Sequence, residues 1–234
     1  MLFRSVRPGD IFVALVGERH DAHAFVDDVV AAGAACVIVR RGHSVGGVAD
    51  VIEVDDTLRA LQRLAVAVLS EGRARAGGLR VLGITGSNGK TTTKELAARL
   101  LGDAALVTIG NLNNHIGLPL TALHLAHDHR YAVLEMGASQ PGDIDELAAI
   151  ARPDVAVITS IGEAHLEGMG GLDGVRLTKL GIARHGVSVL LIPAAERAAL
   201  PAPDPRTDVR CFAAGDVTEV LASADLVAKP ASPG

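Results

Sequence analysis

Residues 83–91 read Gly83-Ile84-Thr85-Gly86-Ser87-Asn88-Gly89-Lys90-Thr91, and this stretch decides the fold. Its spacing is GxxxxGK[ST]. An apolar run at 81–85 precedes it, and a helical pattern at 91–101 follows. The residue types have a shared purpose. The glycines let backbone N–H groups turn inward toward phosphate oxygens. The helix N-terminus adds its partial positive charge. Lys90 can reach the outer phosphates, and Thr91 can offer its hydroxyl to Mg²⁺. A chance Gly-rich turn is the alternative, but it leaves the flanking strand and helix patterns without a purpose. A P-loop names a phosphate site and not a reaction.

Outward from that loop the chain alternates. Residues 131–135 (YAVLE), 155–159 (VAVIT) and 187–192 (VSVLLI) read as strands, with helices expected at 144–151 and 175–183. Strands alternating with helices predict a mainly parallel, doubly wound α/β sheet. Before the loop, 11–15, 36–39 and 51–54 read as strands. Residues 24–32 read as a helix stopped by Gly33, and Leu58, Leu61, Leu64, Ala65 and Val68 share a helical stripe. The expected organisation is a small N-terminal α/β domain over 1–72, a linker at 73–79 and a P-loop domain over 80–234. The polar, Gly-ended stretch 71–78 (EGRARAGG) carries the linker reading. From Pro201 onward the chain is turn-rich and no closing element is expected. No internal repeat is visible.

Composition narrows the function. The chain has 234 residues, of which 49% are hydrophobic but only 2% aromatic, so aliphatic packing must build the core. A formal charge of −5 without any Lys/Arg block argues against nucleic-acid binding through a broad basic face. No uninterrupted apolar run reaches membrane-span length, and no signal-peptide pattern opens the chain, so a cytoplasmic protein without a membrane span is expected. Cys36 and Cys211 lie far apart in apolar settings and read as reduced, buried thiols.

Several residues could complete a phosphate site. Glu135 ends a strand, where a carboxylate faces the ligand crevice of a parallel sheet and could hold Mg²⁺ with Thr91; a strand-end charge facing water is the alternative. His165 follows the next strand and could ligate a second metal, although loop histidines are commonly solvated. Asn111, Asn113 and Asn114 could read a peptide or a sugar through uncharged donors and acceptors, or simply form an Asn-rich turn. Lys179, on a helical segment, is by itself an ordinary surface charge.

Taken together these blocks resemble the Mur ligases. The resemblance rests on RPGDIFVAL at 7–15 with GERHDAHAF at 17–25, on the P-loop ending in GKTT at 89–92, on NLNNHIGLPL at 111–120, and on LEMGA, ARPDVAVIT and GEAHLEGMGGLDGV between 132 and 175. It is closest to the members that join D-alanyl-D-alanine to UDP-N-acetylmuramoyl-tripeptide, since MurE relatives usually carry threonines within the Asn stretch. It implies an ATP- and Mg²⁺-dependent amide ligase of cell-wall synthesis, monomeric, acting through an acyl phosphate. By position, Gly86, Ser87, Asn88, Gly89, Lys90, Thr91 and Thr92 would bind ATP. Thr91 and Glu135 would hold a first Mg²⁺, and His165 a second. Lys179 would form a carbamate that supports the metal. Lys90, Lys179 and His165 would be catalytic, and Arg4, Asn111, Asn113 and Asn114 would meet substrate.

The pattern also departs from the family. Leu2-Phe3-Arg4 stands where an Asp-Ser-Arg-like segment helps hold uridine nucleotide, and only Arg4 fits. Pro193-Ala194-Ala195-Glu196 stands where an Asn contacts adenine, and Gly181 where an acidic residue is common. A third, Rossmann-like domain is expected to be absent and the central domain incomplete, so little ligase turnover is expected of this chain alone. The competing readings are a non-catalytic nucleotide-binding fragment or degenerate homologue, a related Mur-type ligase such as MurE, and an unrelated P-loop NTPase.

Overall fold

The structure is a computed structural model, and it describes residues 6–17, 20–47, 49–162, 166–200 and 204–212. It divides into two compact units, Met1–Leu64 and Ala65–Gly234.

In the first unit, β1 (Ile11–Val13), β2 (Cys36–Arg40) and β3 (Asp50–Val54) form a three-stranded parallel sheet in that order. The helix α1 (Val26–Ala31) joins β1 to β2 after a 3-10 turn at Ala22–Phe25. Phe12, Val26, Val29, Val37 and Val39 are the buried core. Asp21 caps the 3-10 turn and its carboxylate meets His23 Nδ1 at 2.6 Å, while His23 Nε2 accepts the Arg40 N–H. That pair of bonds puts the ring proton on Nδ1 and makes His23 a structural histidine.

The helix α2 (Thr57–Ala74) follows, and the division between the units falls within it. Its apolar residues recur at helical spacing, so Leu61, Ala65 and Leu69 share a buried stripe. The stretch read as a linker therefore starts inside a helix. Arg73 is held there, because its guanidinium donates to the carbonyls of Ala151 and Arg152 at the end of a later helix.

The described residues of the second unit include a six-stranded parallel sheet. Its strands are β4 (Arg80–Thr85), β5 (Ala105–Val107), β6 (Tyr131–Glu135), β7 (Val155–Ile158), β8 (Val189–Pro193) and β9 (Asp208–Phe212), in the order β5-β6-β4-β7-β8-β9. The connecting helices are α3 (Lys90–Leu101), α4 (Gly117–Ala122), α5 (Asp143–Ala151), α6 (Leu166–Met169) and α7 (Gly171–Leu180). Strand alternation separates two cores. Leu82, Ile84, Val133 and Val157 pack with Ala97 of α3 on one face. Val81, Ala132, Leu134, Ala156 and Ile158 pack with Ile144, Leu147 and Ala148 of α5, and with Leu118 of α4 and Leu69 of α2, on the other.

Sheets buried on both faces need apolar residues at every position, which explains the unbroken runs VLGIT, YAVLE and VAVI. The helices after neighbouring strands β4 and β6 depart to opposite faces. The C-terminal ends of β4 and β6 therefore border a topological switch point, where ligands of such sheets bind.

Some expectations change. β9 is a strand although a turn-rich tail was expected, and β5 and α4 were not foreseen. Cys211 is exposed and Cys36 half-buried, rather than both being buried. Each lies where alternation turns its side chain away from the core, and Cys211 sits beside the buried Phe212 on β9. No helix among the described residues is long and apolar enough to cross a membrane.

Candidate active site

The P-loop leaves β4 at Thr85 and enters α3 at Lys90. Gly89 is the helix N-cap in a left-handed conformation, φ 83°, and no side chain caps that end. Gly86 is also required: a Cβ there would lie 1.9 Å from Thr159 Oγ1 and 3.0 Å from the Ser160 nitrogen. This close approach exists because the segment after β7 is laced to the loop. Ser87 N–H donates to the Ser160 carbonyl, and Asn88 N–H to Ser160 Oγ. Ser87 Oγ exchanges bonds with the backbone of Gly162. The Lys90 ammonium donates to the Gly86 carbonyl at 2.7 Å. Partial burial holds its pKa below the ordinary lysine value, with the charge of Glu135 opposing that shift. Thr92 is exposed on the first turn of α3.

Glu135 is the hub. It is 2% exposed, which rules out the strand-end charge facing water. Its Oε2 accepts from Thr91 Oγ1 at 3.1 Å, and its Oε1 from Asn113 Nδ2 at 2.8 Å. Its own N–H donates to Thr108 Oγ1. Asn113 is fixed in turn, since its carbonyl accepts from Gly137 N–H. A Cβ at Gly137 would lie 2.8 Å from Asn113 Oδ1 and would force that side chain to shift.

Asn111 is exposed. Asn114 is exposed, and its Oδ1 accepts the N–H groups of Ile116 and Gly117 at the entry to α4. The Asn stretch thus forms a turn at Asn114, while Asn113 is bonded to Glu135.

Lys179 is 5% exposed, not a surface lysine. Burial, helped by the positive charge of Lys90, lowers its pKa from 10.5 to about 8. Gly181, where an acidic residue was the expectation, presses on α5; a Cβ there would lie 3.0 Å from the Asp145 nitrogen. Glu196 is paired with Arg176 Nε at 2.8 Å. Arg4 and His165 lie outside the described residues.

Lys94 was missed. It is buried on α3, three residues beyond Thr91 and so on the same helix face, and its ammonium lies 3.9 Å from Glu135 Oε2. Thr108, Thr159 and Ser160 were missed as well. Each stands just beyond a parallel strand, and that position was the available signal.

The oxygen donors fit a hard divalent cation. Thr91 Oγ1 and Glu135 Oε2 stand side by side next to the P-loop turn, and Mg²⁺ takes few protein ligands alongside substrate phosphates and water.

The fold and this loop define a P-loop nucleotide-binding protein of the doubly wound α/β class. The Mur ligase middle domain matches residues 84–202, and the chain belongs to the Mur ligase family. The UDP-N-acetylmuramoyl-tripeptide--D-alanyl-D-alanine ligase of Bacillus subtilis is 46% identical over 197 residues, covering 80% of this chain and 42% of that protein. The Escherichia coli protein of the same name is 39% identical over 193 residues, covering 80% and 41%. A MurF structure from Acinetobacter baumannii superposes with a TM-score of 0.80 at 39% identity, over 91% of this chain and 47% of that one. MurF from Thermotoga maritima, in complex with ADP, gives 0.78 at 34% identity, over 91% and 49%. The chain thus spans less than half the length of these relatives.

Proposed function

We propose that this chain forms the ATP-handling part of a ligase that adds D-alanyl-D-alanine to UDP-N-acetylmuramoyl-tripeptide. The observation that carries the reading is the convergence of Thr91 and Asn113 on the buried Glu135, beside Lys90. In this reading the backbone of 86–89 and the Lys90 ammonium hold the ATP phosphates. Thr91 and Glu135 hold Mg²⁺, which when bound neutralises charge on the transferring phosphoryl group. Lys90 moves from the Gly86 carbonyl to a phosphate oxygen. Asn113 positions the tripeptide end of the substrate next to the nucleotide, and positioning supplies much of the acceleration.

Lys179 is suited to react with CO₂, because its low pKa leaves a sizeable neutral fraction near pH 8. The resulting carbamate would replace a cation by an anion near Lys90. We assign the first unit to the nucleotide-sugar end of the substrate on the strength of its block at 7–25, and His165 and Arg4 keep the roles that the family resemblance gives them.

Titration with ATP–Mg²⁺ tests the proposal. Saturable binding by the intact chain, lost in Lys90→Ala, is the expected result; equal weak binding by both rejects it. A second reading, nucleotide binding without turnover, draws on Pro193–Glu196, where Glu196 is committed to Arg176. ADP release with both substrates present separates the two.

A further inference from the structure

Lys94 has the setting of a working residue. It is among the largest fully buried side chains of the protein, at 1% exposure, and a buried lysine is tolerated only when it is paired. Its ammonium faces several partners. It donates to the Gly110 carbonyl at 3.1 Å, lies 3.3 Å from Glu95 Oε1, and sits 3.9 Å from Glu135 Oε2. Glu95 is largely exposed and gains little from the pairing. Gly110 and Glu135 belong to two different parts of the site. Gly110 precedes the Asn111–Asn114 turn directly, and Glu135 is the carboxylate that Thr91 and Asn113 share.

From this geometry we propose that Lys94 is a positioning residue that braces the metal-holding carboxylate and the substrate turn against each other. Resting on the functional reading above, the inference adds a residue which that reading does not use. On the nucleotide side, the ammonium compensates the buried Glu135 charge and keeps Oε2 beside Thr91, which leaves Oε1 to Asn113. Across the site it holds the Gly110 carbonyl, so the turn that presents Asn113 cannot drift from the carboxylate that anchors it. A lysine suits this role because one ammonium donates in several directions at once.

Lys94→Met keeps most of the length and loses the charge; Lys94→Arg keeps the charge. ATP dissociation constants are measured for the chain with saturating Mg²⁺ and with EDTA, alongside amide hydrogen exchange of 108–114 and the melting temperature. Lys94→Met is expected to reduce the Mg²⁺-dependent gain in ATP affinity by about tenfold or more, as loss of an outer-shell partner does. It should change metal-free binding little and should speed exchange at 110–113. Lys94→Arg should recover part of the gain.

Equal weakening with and without metal, or an unchanged exchange pattern at 110–113, overturns the proposal. If Lys94→Met does not fold, the double variant Lys94→Met/Glu135→Gln removes both charges and the exchange comparison is made there. Protection at 110–113 equal to that of Glu135→Gln alone then overturns it. If the unaltered chain binds no ATP, the functional reading fails, and the exchange result still decides the brace.

Discussion

At the scale of single residues, the site is a set of constraints on Glu135 and on the glycines around it. Gly86→Ala places a methyl group against Thr159 and Ser160 and is expected to abolish ATP binding. It should also lower stability by about 2 kcal/mol or more in urea unfolding. Lys179 makes a pH prediction. Its folded-state pKa is about 8 against an ordinary 10.5, so between those values the unfolded chain binds more protons and stability rises with pH. Lys179→Met should therefore gain roughly 1–3 kcal/mol near pH 7 and lose the slope across that window, as unfolding at pH 7, pH 8 and pH 10 would show.

The P-loop residues were legible because their spacing is the mechanism. Glu135 was legible as a strand end, but its burial was not. Lys94 was invisible for a physical reason: Thr-Thr-Thr-Lys-Glu reads as a solvated helical turn, and only the pairing of α3 with β6 shows that its inner face meets a carboxylate. Asn114 was legible as polar, but its bonds to the N–H groups of Ile116 and Gly117 were not, because an amide that closes a turn looks like any other in sequence.

At the scale of elements, apolar runs predicted the central strands well. β6 spans 131–135 as expected, and β4 and β7 fall within a residue of their expected ends. These strands are buried on both faces, so hydrophobicity marks them strongly. β5 is three residues long at a sheet edge, and β9 follows a Pro-rich turn, so neither carries that signal. α2 was legible from its stripe, but its end was not, because the Arg73 contact with Ala151 and Arg152 is made to residues distant in sequence. Leu69 lies fully buried in this stripe, and Leu69→Ala should cost about 2–5 kcal/mol by urea unfolding, depending on how far the site collapses. Arg73→Ala should destabilise by about 0.5–1.5 kcal/mol, with faster exchange at the C-terminal end of α5, since it takes the donor away from one part-buried and one exposed carbonyl there.

At the scale of the whole molecule, a ligand that binds only the folded chain stabilises it. ATP–Mg²⁺ at about a hundred times its dissociation constant should add about 2.7 kcal/mol and raise the melting temperature by several degrees, with no such rise for Lys90→Ala. A thermal-shift series with ATP, ADP and Mg²⁺ checks this. The α/β class and the parallel sheet were legible from alternation, and the position of the P-loop from its own spacing. The strand order was not, because β4 acquires its central place only through pairings with β6 and β7.

The stitching of Ser87 and Asn88 to Ser160 and Gly162 has a kinetic consequence. A cradle already fastened to the neighbouring strand end has little left to organise when nucleotide arrives. Association should then be a single step, with an observed stopped-flow rate linear in ATP concentration and no plateau from a slow rearrangement.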